Sequence, residues 1–231
     1  LLLLSKKSRV IWGGGMELSL LKPFAETMKT KFSLPGTASP EDQLKPPVAD
    51  LIKGTGSTFK LTVESRTETH LSEHKVRPDL AIYVGGLICG YVELKAPGLG
   101  ADPLKLKGKH NKEQWEKLKG LPNLIYTDGR DWALYRSGER QGGIVRLDDD
   151  PTEKGKAAVT KENADKLDGF LRGFLFWSPS VPHKPTELAK YLAPLTRFLR
   201  SEVEVALATS GSDIEALAAE WRKFFFPTAD D

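Results

Sequence analysis

Residues Val76–Gly98 read VRPDLAIYVGGLICGYVELKAPG. Two apolar runs, DLAIYV and LICGYVELK, flank Gly85-Gly86, and paired glycines between such runs predict a tight β-hairpin. Alternation along the second run sends Ile88, Val92 and Leu94 to one face and Tyr91, Glu93 and Lys95 to the other. Asp79 opens the preceding strand, with the turn roughly midway between it and Glu93, so the hairpin brings the two carboxylates together. Two acids and a lysine at a strand end that should face a core are costly to bury without a purpose.

Chemistry supplies one. Hard cations such as Mg²⁺ take one or two carboxylates together with waters and substrate phosphate. Such an ion polarises a phosphoryl oxygen, stabilises the leaving oxygen and acidifies a bound water. A neighbouring lysine orients that water or stabilises the charge building on the phosphate. Asp79 and Glu93 are therefore the candidate metal ligands, with the backbone carbonyl of Leu94 as a further oxygen donor, and Lys95 is the candidate catalytic cation. Alone, Glu-x-Lys is an ordinary surface-strand pattern in a charged chain; its weight comes from the ordered set around it.

Upstream, SPEDQLKPPVADLIKGTG has helix-start grammar: Ser39 to cap, Pro40 in the first turn, Glu41 and Asp42 at the positive end of the dipole. Pro46-Pro47 predicts a kink or two short helices, and Gly54 and Gly56 a stop. STFKLTVES alternates and reads as a strand with Phe59, Leu61 and Val63 on one face. Downstream, NKEQWEKLKG predicts a short helix, and LPNLIYTDGRDWALYRSGERQGGIVRL predicts three strands with turns at Asp128-Gly129 and near Gly138. After Asp150 the period becomes helical, in three segments whose apolar faces are led by Leu167, Leu188 and Ile214.

The 231 residues suffice for one α/β core with a helical appendage. With 39% hydrophobic and 28% charged residues, disorder is not the default. A net charge of only +3 means that any nucleic-acid contact must rest on local clustering. PLKLKGKHNKEQ supplies a cluster in Lys105, Lys107, Lys109 and Lys112, read either as a solvated face or as a phosphate contact. The single cysteine, Cys89, excludes an intrachain disulfide and a cysteine zinc site, and it fits a cytoplasmic location. Four leading leucines are too short to span a membrane, and the basic residues follow them instead of preceding them as in a signal peptide. Residues 1–15 are set aside as an added or disordered leader. His70, His74, His110 and His183 lack metal-ligand spacing.

RPDL…YVELKAPG resembles the PD-(D/E)xK nuclease motif, with Pro78-Asp79 as its first half and Glu93-Leu94-Lys95 as its second. The resemblance extends to Glu41, placed like an additional acidic ligand, and to Gln114, similar to the glutamine that accompanies the motif in restriction-enzyme motor subunits and RecB-like nucleases. Leu118 stands where that pattern often has a tyrosine. The whole string is similar to N-terminal nuclease domains of bacterial enzymes fused to an N6-adenine DNA methyltransferase. What the resemblance implies is an α/β, restriction-endonuclease-like mixed sheet flanked by helices, with a nuclease core over residues 16–150. A helical segment over 151–231 would lead to a methyltransferase and recognition region further along the polypeptide.

It further implies Mg²⁺-dependent hydrolysis of DNA phosphodiesters in restriction–modification, with Mn²⁺ as a substitute, DNA as partner and a dimer for double-strand cleavage. Asp79, Glu93, Lys95 and Gln114 would be catalytic; Asp79, Glu93, the Leu94 carbonyl and Glu41 would hold metal. Two other readings remain open at this point: a catalytically inactive module that binds DNA or docks to a methyltransferase, and a repair-type or RecB-like exonuclease.

Overall fold

A computed structural model of the chain describes residues 18–34, 38–67, 78–178, 185–209 and 211–225. The expected leader, Val76, Arg77 and three of the four histidines (His70, His74 and His183) lie outside the described residues.

The hairpin is built from β2 (Leu80–Val84) and β3 (Leu87–Leu94), joined at Gly85 and Gly86 with φ of 58° and 80°. Both values are left-handed, which the mirror-image hairpin turn requires and glycine supplies without strain. The register is irregular. Ile82 pairs with Gly90, but Tyr83 pairs with Ile88, leaving Cys89 as an extra residue in β3. This bulge inverts the alternation before it. Cys89, not Ile88, joins Val92 and Leu94 in the core, and Ile88 is exposed. Beyond the bulge the expected alternation holds.

The hairpin sits inside a seven-stranded mixed sheet, ordered β1-β2-β3-β4-β5-β6 with β7 also paired to β5. The remaining strands are β1 (Val63–Thr67), β4 (Leu124–Thr127), β5 (Asp131–Arg136) and the two-residue β6 (Glu139–Arg140) and β7 (Val145–Arg146). Only β3 and β4 run parallel, across the connection that contains α3 (Lys109–Leu118). One face of the sheet packs on α1 (Leu18–Ser33), α2 (Pro40–Thr58) and α5 (Lys161–Leu175) through Leu21, Met28, Leu44, Ile52, Leu167 and Phe174. The other face, carrying Tyr91, Tyr126 and Tyr135, packs on Trp115 and Leu118 of α3. This is the mixed sheet flanked by helices that the resemblance implies. The core is continuous across residue 150, where the sequence changes character. After it come α4 (Pro151–Lys154), a 3-10 turn and α5, and α5 contributes Ala164, Leu167, Leu171, Phe174 and Leu175 to that core.

α2 departs from expectation. It runs unbroken through Pro46-Pro47 and through Gly54 and Gly56, so residues 57 and 58 are helical and the following strand starts only at Val63. An interior proline costs about 3 kcal/mol in an exposed helix, but here Leu44, Val48, Leu51 and Ile52 are buried along one face and hold the helix across it. Gly56 is a point of close approach rather than a stop: a Cβ there would lie 2.2 Å from Val63 Cγ2, so its absence lets β1 reach the helix. The chain then turns at Lys60, with φ of 59°.

α6 (Pro185–Ala208) and α7 (Asp213–Phe225) follow. Ser212 Oγ caps α7 by accepting from Glu215 N at 3.1 Å, and Glu215 reaches back to Gly211 N at 2.7 Å. Leu188, Leu192 and Leu199 are exposed on α6. No described helix is long and apolar enough to cross a membrane.

Candidate active site

Antiparallel pairing of Leu80 with Val92 sets the register of the hairpin, and one further step places Asp79 across from Glu93 on the face shared with Tyr91. Parallel pairing places Tyr126 of β4 beside Glu93. The site thus forms at one end of the central strands, with α2 arriving from one layer and α3 from the other.

Its centre is a closed triangle of side chains. Lys95 Nζ donates to Glu93 Oε1 at 2.8 Å and to Gln114 Oε1 at 2.5 Å. Gln114 Nε2 donates to the same Glu93 Oε1 at 2.5 Å. Glu93 is 1% exposed, Lys95 3% and Gln114 8%, so two charged groups and an amide are withdrawn from water together. A buried pair of this kind is weak evidence of a stability gain, because desolvation consumes most of the attraction. The structure therefore brings Gln114 onto both charged members of the motif, and α3 delivers it: Trp115 and Leu118 anchor that helix against Tyr126 and Tyr135, with Trp115 edge-on to both rings.

Asp79 joins through the backbone. Its Oδ2 accepts from Leu94 N at 2.8 Å, tying the start of β2 to the end of β3. Its Oδ1 faces Lys45 Nζ of α2 at 3.2 Å. Lys45 also donates to Asp42 Oδ1 at 2.7 Å. Burial opposes the charge on Lys45, but the hydrogen bonds and charges of Asp42 and Asp79 outweigh it and raise its pKa. Lys45 is a member of this site that sequence reasoning missed. The signal was available, since it lies one helical turn after Glu41 and so shares its side of α2. The charge of Glu41 is felt at Glu93, where it adds to the upward shift of that carboxyl.

Burial pushes the Glu93 carboxyl up to about 8; the Asp79 charge adds to this and Lys95 opposes it. Glu93 Oε2 is buried without a hydrogen-bond partner, and so is the Tyr126 hydroxyl. Burial drives the Tyr126 pKa upward, and the Glu93 charge adds to the effect. A desolvated carboxylate with one oxygen committed and one orphaned, facing a second carboxylate across a hairpin, fits a hard divalent cation. Among the described residues no cluster of three or more His, Cys, Asp or Glu side chains gathers at metal-binding distance, so water, phosphate and backbone oxygens would complete the shell.

A second residue whose role the sequence did not reveal, Asp128, holds the loop that leaves the site. Asp128 reads from sequence as a turn residue, and it is one, with Oδ1 accepting from Arg130 N at 3.0 Å and Asp131 N at 2.7 Å. Its Oδ2 also accepts from Gly98 N at 3.1 Å and Gly100 N at 2.7 Å, fastening the segment just after Lys95. From there the chain passes into the basic stretch. Lys105, Lys107, Lys109 and Lys112 are all exposed. Lys105 lies 3.8 Å from Asp102 and Lys109 3.7 Å from Glu113, distances of loose surface pairing.

No family model matches this chain, and no curated protein matches it. Among solved structures it is similar to a chain in a cryo-electron-microscopy structure described as a DrdV–DNA complex, at 19% identity and a TM-score of 0.45. The likeness covers 84% of this chain and 18% of that one.

Proposed function

We propose that this chain is a divalent-metal-dependent deoxyribonuclease domain that hydrolyses DNA phosphodiesters, and that it serves as the cleavage module of a restriction–modification enzyme. The observation that carries the reading is the buried Glu93–Lys95–Gln114 triangle, with the orphaned Glu93 Oε2 beside Asp79. A fold does not need a carboxylate, an ammonium and an amide desolvated together, whereas a metal-assisted hydrolase does.

Glu93 and Asp79 would hold Mg²⁺, or Mn²⁺ in its place, with the Leu94 carbonyl and Glu41 as further donors. When bound, the ion would supply Lewis-acid polarisation of the phosphoryl group and acidify a water. The protein's own part is positional. Gln114 bonds both Lys95 and Glu93 Oε1, which fixes the lysine and leaves Oε2 for the cation. Two of the three Lys95 N–H donors are committed, and the third would orient the attacking water or stabilise charge on the phosphate. In-line attack leaves a 5′-phosphate and a 3′-hydroxyl, as the resemblance implies. The test incubates circular and linear DNA with the protein and Mg²⁺, Mn²⁺ or EDTA, beside Asp79→Ala. Metal-dependent cutting of circular DNA that Asp79→Ala lacks supports the reading. Cutting of linear DNA alone points to an exonuclease, and no cutting with either metal to a binding module.

The exposed lysines would follow the DNA backbone. Reversing the charge of Lys105, Lys107 and Lys109 together is expected to weaken binding and to flatten its salt dependence. The log–log slope should fall by about 0.9 for each phosphate that the protein no longer neutralises. Fluorescence anisotropy over a salt series measures this. An unchanged slope places the loop away from DNA.

A further inference from the structure

We propose that Lys45 is the resident counter-ion of this site, a built-in cation that a divalent ion must displace from Asp79. The inference rests on the metal-binding reading above and adds a competitor to it. Asp79 Oδ2 is committed to Leu94 N, so Oδ1 is its remaining oxygen for a cation, and Lys45 Nζ sits 3.2 Å from that atom. Two cations cannot share one partly buried carboxylate oxygen without strong repulsion.

The geometry also gives Lys45 somewhere to go. Its shorter bond, at 2.7 Å, is to Asp42 Oδ1, one turn earlier on the same helix. Asp42 is itself held by Ser39, whose hydroxyl donates to Oδ2 at 2.8 Å and accepts from Asp42 N at 3.1 Å. The capping residue of α2 thus fixes a second seat for the ammonium. Lys45 can leave Asp79 by a small movement and remain paired, which keeps the cost of displacement finite. The side chain of Asp79 is 16% exposed, against 54% for Asp42, so the exchange runs from a drier seat to a wetter one. Without metal, Lys45 compensates a carboxylate that would otherwise face Glu93 across the hairpin with its charge unbalanced. With metal, it becomes a cation parked beside the site.

Two substitutions with opposite expected signs test this in the full chain. Lys45→Met keeps the length and removes the charge; Mg²⁺ and Mn²⁺ affinity, read by calorimetry, is expected to rise by about tenfold. Its metal-free melting temperature is expected to fall, and the gain on adding Mn²⁺ to exceed that of the unmodified protein. Asp42→Asn weakens the second seat, so Lys45 holds Asp79 more firmly and metal affinity is expected to fall. Lys45→Arg, which keeps the charge, should stay near the unmodified value. If the unmodified protein binds metal and Lys45→Met binds it equally or less well, the counter-ion role is overturned while the metal site stands. If neither protein binds metal, both ideas fall together. Metal binding that arises only in Lys45→Met supports the competition outright.

Discussion

Lys95→Ala is expected to slow DNA cleavage by about 10²–10³-fold and spare divalent-metal binding, whereas Glu93→Gln and Asp79→Ala are expected to lose both. The asymmetry follows from chemistry. An ammonium has no lone pair to offer a cation, so removing it costs the ion no ligand. It does remove a positive charge from within 2.8 Å of Glu93, which leaves metal affinity equal or tighter. On the proposed mechanism the loss is of a donor to water or phosphate, worth about 10²–10³ in rate for a preorganised group of this kind. Glu93→Gln keeps the shape of the side chain and an acceptor for Lys95, so the triangle can persist while the ligand charge disappears. Asp79→Ala also frees Leu94 N, so calorimetry on this variant belongs beside a melting curve. Lys95→Ala leaves Glu93 buried without its partner, a loss of about 3–5 kcal/mol where nothing relaxes, and bound Mn²⁺ should restore part of it. The assignment of roles fails if Lys95→Ala loses metal while Glu93→Gln retains it.

How much of this site is legible in the sequence depends on which residues local pattern controls. Glu93 and Lys95 fall on one face because they follow the bulge, where alternation is intact. Ile88 does not fall where alternation puts it, because Cys89 is an extra residue in β3, and the one local sign of this is the neighbouring strand-interior Gly90. The hairpin brings Asp79 near Glu93, but unbroken pairing from the turn would set it opposite Val92, and the bulge at Cys89 shifts it onto Glu93. Gln114 is nameable only through a resemblance, since its bond to Glu93 joins a strand to a helix distant in sequence. Lys45 shares a legible side of α2 with Glu41, but its partner and that of Asp128 are fixed by tertiary packing, one across layers and one between two loops. α2 shows the opposite failure. Its prolines and glycines are strong local signals, and burial of one helix face overrides all four. α1 carries Leu21, Phe24, Ala25 and Met28 at helical spacing, a stripe that is readable in the sequence though no motif draws the eye to it.

Gly90→Ala is expected to destabilise the protein by about 3 kcal/mol, the upper part of the range for overpacking a filled core. Gly90 has no need of a left-handed backbone; the requirement is space. A Cβ there would lie 2.5 Å from the Asn123 carbonyl oxygen, 2.7 Å from Phe174 Cε2 and 2.8 Å from Asn123 Nδ2. None of the three can yield cheaply. The Asn123 carbonyl accepts from Tyr91 N at 2.9 Å, so moving it opens the parallel β3–β4 junction. Asn123 Nδ2 is bonded to the carbonyls of Cys89 at 3.0 Å and Phe174 at 3.1 Å, a knot joining the bulge to the end of α5. Phe174 is fully buried and has no open space to rotate into. Gly143→Ala is the control, because a Cβ there meets nothing within 4 Å and the change should stay within about 0.5 kcal/mol. Urea unfolding measures both, and a lower midpoint at unchanged slope identifies a pure stability loss. A Gly90→Ala midpoint equal to the control would mean that β3 and α5 do not meet as described. Because Glu93 lies three residues further along the same strand, the displacement should also reach the candidate active site. Cleavage by Gly90→Ala should therefore fall even at temperatures where the variant remains folded, and Gly143→Ala should cleave normally.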